Sequence, residues 1–426
     1  MEAMSQTDRF EQPLSTASSA AAQHYRDALD YLFCMRSAAG AEIDQAIAHD
    51  PEFALAHCVR ARVLLIEGDT AGARDVAAHA EALARDASPR EQQHALLVGR
   101  VTRNETAGTL AMVREHAEQY PRDALPLSFA LGVYSLIGFG GFTDQHQLQV
   151  DLLESVAPAW PEDWWMQGWL GWSYVEAGQI RRGTELLERS FEARPDNANT
   201  AHGRAHAYYE AADLNAGKTF LREWLPSYGQ HEPLHCHVAW HLALLYLYEG
   251  DYATATELYE QYIRPGASKA LPMFTHIDCA AYAWRSRLVG QPLGVDHQDE
   301  IVQFAEQHFA KPGIPFVNWH TQLVKGAQDP AAAAAFAEAV ADQADTVDGL
   351  PFKITARLCQ ALSAYSREDY EAAADILATA LPECASIGGS NAQRDAIAAT
   401  YVSALEKSGR SPEIAGAFGG RGLLTV

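Results

Sequence analysis

Four histidines stand in two pairs, His202 with His206 and His237 with His241. The spacing within each pair is four residues, and the second pair follows the first by 35. On a helix, four residues turn about 400°, so both rings of a pair leave one face, about 6 Å apart along the axis. An offset of 35 lies close to the ~34-residue period of a tetratricopeptide-type helix pair. If the two pairs occupy equivalent helices of neighbouring repeats, four imidazoles converge on one surface. Asp278 follows one repeat later, in FTHIDCAAYAW, and His276 stands 35 residues after His241.

Three chemistries suit such a surface. In the first, His202, His206, His237 and His241 ligate a divalent metal such as zinc, with Asp278 as an oxygen donor. There is no HExxH, and the set does not single out one metal. In the second, His237 or His241 is a general base oriented by Asp278, since imidazole titrates near neutral pH. In the third, the rings are packing groups bonded to nearby carbonyls and to Trp240 or Tyr208. The residue types leave all three open.

The second candidate is Gly388–Asp395, GGSNAQRD. The two glycines permit positive φ after a helix. Ser390 is placed to cap the next helix, with Gln393 three residues on completing a capping box. Capping leaves Asn391 and Arg394 unexplained. Exposed amides at a helix start plus an arginine form a site for a carboxylate or phosphate. A structural Arg394–Asp395 network is the competing reading. The third candidate is aromatic: Trp160, Trp164, Trp165, Trp169 and Trp172 crowd one stretch, as a packing stripe between repeats or as an apolar wall beside the histidines. No P-loop, GxSxG or GxGxxG motif is present.

The elements that must position these residues read as helices throughout. Ala- and Leu-rich segments alternate with short breaks at Gly, Asp or Pro, and β-branched alternation is nearly absent. The clearest unit runs from Asp163 to Pro195, with small residues at Gly171 and Gly183 for close helix approach. Ala205, Tyr208, Gly217 and Leu221 repeat it 34 residues later. The stretch Leu136 to Phe142 reads as a glycine-aromatic turn, and Pro312 to Pro315 as a break before a helix carrying His320. The expected architecture is a single all-α curved solenoid of tetratricopeptide-like helix-turn-helix repeats. Residues 1–45 form an N-terminal cap, 46–382 the repeats and 383–426 a C-terminal cap.

Composition excludes several classes. The chain of 426 residues has a net charge of −23, which disfavours nucleic acid and anionic membranes. No apolar run reaches ~18 residues, so no membrane span is expected. The N-terminus lacks an apolar core and reads as no signal peptide. Six scattered cysteines without CxxC suit reduced thiols and a cytoplasmic location.

At this level the chain resembles the tetratricopeptide repeat protein 38 family. The resemblance is carried by His202-Gly-Arg-Ala-His206, by Cys236-His237-Val-Ala-Trp240-His241, by Asp278 and by the GGSNAQRD string. Weaker matches are Pro13–Thr16, Asp50–Phe53 and Arg90–His94. Near His320, Asn318 stands where that pattern has an acidic residue. The resemblance implies an α-solenoid, often cytosolic, whose first helices line the concave face, and it supplies no activity.

The resulting expectation is an enzyme or binder with a concave histidine pocket acting on a small anionic molecule, by metal-assisted hydrolysis or a related reaction. Trp240, His320, Asn391, Gln393 and Arg394 would contact the substrate. The alternative is a protein-interaction scaffold with a protein ligand in the groove.

Overall fold

In the computed structural model, residues 6–414 are described. The outermost parts of the two expected caps, 1–5 and 415–426, lie outside the described residues. Among these residues the chain is all-α, with 21 α-helices and one isolated β-bridge, Thr7 to Pro13. In order they are α1 (Ser19–Phe33), α2 (Ala39–His49), α3 (Ala54–Glu67), α4 (Thr70–Leu83), α5 (Pro89–Thr102), α6 (Thr109–Gln119) and α7 (Ala124–Ser128). There follow α8 (Gln145–Val156), α9 (Trp164–Glu176), α10 (Ile180–Ala193), α11 (Ala198–Glu210), α12 (Leu214–Trp224), α13 (His235–Glu249) and α14 (Tyr252–Leu258). The last seven are α15 (Pro272–Leu288), α16 (Val295–Phe309), α17 (Pro315–Gln328), α18 (Pro330–Thr346), α19 (Leu350–Ser366), α20 (Tyr370–Ala380) and α21 (Asn391–Lys407). No helix among the described residues is long and apolar enough to cross a membrane.

One turn chemistry recurs between the helices of a pair. The first helix ends on a left-handed residue: Gly68 (φ 86°), Ala212 (φ 54°), Gly250 (φ 89°) or Glu368 (φ 64°). The next residue is Asp69, Asp213, Asp251 or Asp369, whose side chain caps the second helix. Its backbone N–H donates five residues back, as from Asp69 to Leu64 and from Asp251 to Tyr246. That is a Schellman closure followed at once by an acidic N-cap, so four short letters of sequence end one helix and begin another. Gly217 supplies the close approach expected of its register. A Cβ there would come within 2.8 Å of Leu245 and 3.0 Å of Tyr208.

The chain separates into two compact units. The first holds residues up to 137, 147–173 and 185–203; the second holds 138–146, 174–184 and 204 onward. In the first, α1 packs on α2, α3 on α4 and α5 on α6, with α5 also against α3. Phe10 of the N-terminal segment packs edge-on to Trp160 at 5.0 Å, and Trp160 stacks on Trp165 at 5.1 Å. These tryptophans are core groups of this unit. Deeper in it, the buried Asp123 carboxylate accepts from Arg90 at 2.8 Å, His94 at 3.0 Å and His116 at 3.2 Å. Burial alone would raise that carboxyl. The three cationic or donating neighbours hold it well below the usual carboxylate range.

In the second unit, α13, α15, α17 and α19 pack each on the next, while α14, α18 and α20 are partners within pairs. The exception is α21. It packs against α15, α19 and α20 and buries residues on every face, from Ala392 round to Leu405. A helix buried all round is an internal element, with no face left for water.

Candidate metal centre

The histidine pairs sit as their spacing predicts. His202 and His206 are one turn apart on α11, and His237 and His241 one turn apart on α13. Each ring offers one nitrogen such that all four nitrogens lie within 4.8 Å of one another. The His206 and His241 rings meet edge to face at 4.5 Å, and His237 and His241 at 4.9 Å. His206 and His241 are fully buried, at 0% and 1% exposure, whereas His237 at 9% lies nearer the surface and His202 is half-buried.

Two buried carboxylates orient two of the rings. His237 directs Nδ1 at Asp278, 2.9 Å from Oδ1 and 3.1 Å from Oδ2. His206 directs Nδ1 at Glu176 Oε1, 2.8 Å away. Both rings therefore face a carboxylate with the same nitrogen, so Nε2 is the nitrogen each would offer to a metal. This is the carboxylate–histidine arrangement that surrounds many protein metal ions, where the acid fixes the tautomer and raises the basicity of the ring. A tetrahedral set with metal–nitrogen bonds of about 2.0–2.1 Å needs nitrogens roughly 3.3 Å apart. The four nitrogens stand up to 4.8 Å apart, so the rings would have to close on an ion to reach that spacing, and the donor set suits zinc or a similar borderline ion.

Around the rings the site is aromatic. Trp240, fully buried, stacks on His237 at 5.3 Å and meets His241 edge-on at 4.9 Å. Asp278 also receives a weak contact from the Cys236 thiol at 3.8 Å. The Arg285 guanidinium lies over the Trp240 ring at 5.5 Å. Arg285 is itself buried and donates to Tyr248 at 3.1 Å and to the Ala392 carbonyl at 2.5 Å.

The remaining candidates are placed as follows. Ser390 and Gln393 form the expected capping box, with Gln393 Oε1 accepting from the Ser390 N–H at 2.9 Å. Asn391 donates its backbone N–H to Glu176 Oε2 at 2.8 Å and its amide to the Glu176 carbonyl at 2.9 Å. Arg394 donates to the carbonyls of Gly388 and Gly389, to Asn391 Oδ1 at 2.8 Å and to His146 Nε2 at 3.1 Å. Asp395 accepts from Tyr209 at 2.9 Å. His320 is buried and donates Nδ1–H to Phe316 at 2.8 Å, and burial lowers it to about 3. His276 is likewise lowered to about 3 by burial and bonds Thr321 at 2.9 Å. Neither is part of the four-ring cluster. Asn318 ties down Gly313 of the preceding break, whose N–H it accepts at 2.7 Å.

Glu176 and His146 are the partners that spacing did not reveal. Glu176 looks in sequence like an ordinary acid closing α9, two residues before Gly178. Burial would raise its carboxyl, yet His206, His146 and Asn391 together hold it well below the usual range. His146 lies 3.4 Å from Glu176 Oε2 and links it to Arg394.

No family model matches the sequence. Among solved structures, the chain is similar to the crystal structure of yeast Tom70 at 12% identity, covering 95% of this chain and 85% of that one, with a TM-score of 0.36. It is similar to the P58(IPK) TPR domain at 15% identity, covering 92% and 99%, with a TM-score of 0.24. It is also similar to Naa15/Naa10 bound to HypK-THB at 12% identity, covering 95% and 64%, with a TM-score of 0.24.

Proposed function

We propose that the protein binds one divalent transition-metal ion, zinc or a close relative, through His202, His206, His237 and His241. Through that ion it acts on a small anionic molecule. The observation that carries this reading is the convergence of four histidine nitrogens within 4.8 Å, with two of the rings backed by buried carboxylates. With four ring nitrogens on it, a bound ion would have to expand to five-coordination to take a water or substrate oxygen; there it would supply Lewis acidity and lower the pKa of that water, so hydrolysis is the reaction class. The protein's own part is to hold the rings. Asp278 and Glu176 keep the protons on Nδ1 of His237 and His206. Trp240 walls the deep side, and the more exposed His202 and His237 mark the side from which substrate and water approach. Asp278, held against Nδ1 of His237, would raise the basicity of that ring as a ligand.

The alternative is a protein-interaction scaffold. Its favourable observation is the run of stacked helix pairs, which elsewhere presents extended binding surfaces. Against it stand the concentration of ionisable groups at one place and the burial of α21 on every face. Cysteines without a disulfide among the described residues suit the cytoplasm, and the charge of −23 disfavours nucleic acid partners. The test is a Co²⁺ titration of untagged protein followed by absorption spectroscopy. Alanine at His206, His237 or His241 should weaken binding at least tenfold, whereas alanine at His276 or His320 should not. Equal affinity across all five variants would refute the site.

A further inference from the structure

The GGSNAQRD segment is specific in sequence, and a chain of its contacts leads to the imidazole cluster through Glu176. Arg394 spends one arm on the carbonyls of Gly388 and Gly389, which carry φ of 99° and 80°. The other arm donates to Asn391 Oδ1 at 2.8 Å. With Oδ1 engaged by a donor, the orientation of the Asn391 amide is determined, and Nδ2 must face the Glu176 carbonyl, 2.9 Å away. Asn391 is the first residue of α21, so its backbone N–H has no acceptor within the helix. It donates to Glu176 Oε2 at 2.8 Å, and Oε1 is left against His206 Nδ1. Asp395 adds a second tie to α11, through Tyr209, three residues beyond His206.

We infer that this segment is the buttress of the metal centre. Asn391 and Arg394 are positioning residues that fix Glu176, and Glu176 fixes the tautomer and angle of the His206 ring. The inference rests on the metal reading above and gives the arginine a role other than anchoring an anionic substrate. It accounts for residues that repeat packing leaves unexplained. Arg394 shapes the glycine turn and sets the asparagine amide, the amide and the helix start hold the carboxylate, and the carboxylate aims the imidazole. Outer partners of this kind typically shift metal affinity 10–100-fold when removed.

The experiment is a Co²⁺ titration of the full chain against a competing chelator, with the visible absorption band recorded at saturation. Wild type is compared with Glu176→Gln, Asn391→Ala, Arg394→Lys and Tyr365→Phe. The last removes a 2.7 Å buried hydrogen bond to Ser403, which also lies on α21. It therefore reports a merely structural loosening of that helix. Glu176→Gln should weaken Co²⁺ about 10–100-fold and shift the band, and the two segment variants should weaken it about tenfold. Tyr365→Phe should stay within twofold of wild type. Should Glu176→Gln fail to fold, Asn391→Ser, which retains the backbone donor and loses the amide, should still weaken Co²⁺ severalfold. In metal-free Asn391→Ala protein, the ¹⁵N shifts of the His206 ring should also move toward a mixture of tautomers. Affinities within twofold of wild type in both Glu176→Gln and Asn391→Ala, or an equal loss in Tyr365→Phe, overturn the inference and leave the metal reading standing. A wild-type protein that binds no Co²⁺ overturns both.

Discussion

Adding a single methyl group at Gly389 tests the turn on which the buttress is built. Gly389 holds φ at +80°, and a Cβ there would collide with the ring of Phe316, which is fully buried. The left-handed backbone costs a residue with a side chain about 1–2 kcal/mol. Forcing an extra methyl into a packed site costs about 1–3 kcal/mol more. Gly389→Ala should therefore lose about 2–5 kcal/mol by urea denaturation followed by circular dichroism. The two contributions separate in a double-mutant cycle with Phe316→Leu. The smaller side chain relieves the collision and leaves the backbone strain, so the coupling should be favourable by about 1–3 kcal/mol. A loss below about 0.5 kcal/mol in the single variant would refute the described conformation of this turn. A full loss with no coupling to Phe316 would refute the collision and keep the strain.

Further outcomes follow from the same contacts. Asp278→Asn preserves the shape beside His237 and permits the wrong ring tautomer, so metal affinity should fall about 10–100-fold by chelator competition. Its melting temperature should stay within a few degrees of wild type, and an unchanged affinity would contradict the orienting role of Asp278. In the first unit, burial raises the Asp8 carboxyl from 3.8 to about 6, with Asp123 adding to it. Because the folded pKa exceeds the unfolded one, the folded state binds the proton more tightly, and ionisation of Asp8 opposes folding. That penalty is absent below about pH 4, builds between about pH 4 and 6, and is complete above it. Asp8→Asn retains the oxygen that accepts from both Phe10 and Gln12. It should stabilise the protein by up to about 3 kcal/mol at pH 8, from a shift of roughly two units at 1.36 kcal/mol each. Denaturation curves of the two proteins should converge near pH 4, and a stability gain that persists unchanged to that pH would contradict the assignment.

The all-α architecture and the helix pairs were legible because the information is local. Helix periodicity, the Gly-Asp and Glu-Asp turn letters, and the Ser390–Gln393 capping box each act within a few residues. The convergence of the histidine pairs was legible for the same reason, since it needs only two helices in register one repeat apart. Asp278 also follows from register, one repeat beyond His237. Glu176, His146 and Arg285 were not legible. Their partners lie far along the chain, as with Asn391, 215 residues after Glu176, and Arg394, 248 residues after His146. Such contacts depend on how α21 is received among other helices, and nothing in local spacing encodes that. The destination of Arg394 illustrates the limit. Its residue type suggests an anion, while its acceptors include two carbonyls and an amide of its own turn and the ring of His146.

The proposal that four histidines of α11 and α13 hold one metal ion can be measured outright. The direct measurement is elemental analysis of untagged protein by plasma mass spectrometry, before and after dialysis against Zn²⁺, paired with thermal melts across a Zn²⁺ titration. About one equivalent of a divalent transition metal per chain is expected, with a melting temperature that rises with free Zn²⁺, as binding to the folded state alone requires. Both should be lost in a His206→Ala, His241→Ala double variant that still folds. Substoichiometric metal after loading, with melting temperatures indifferent to Zn²⁺, would contradict it.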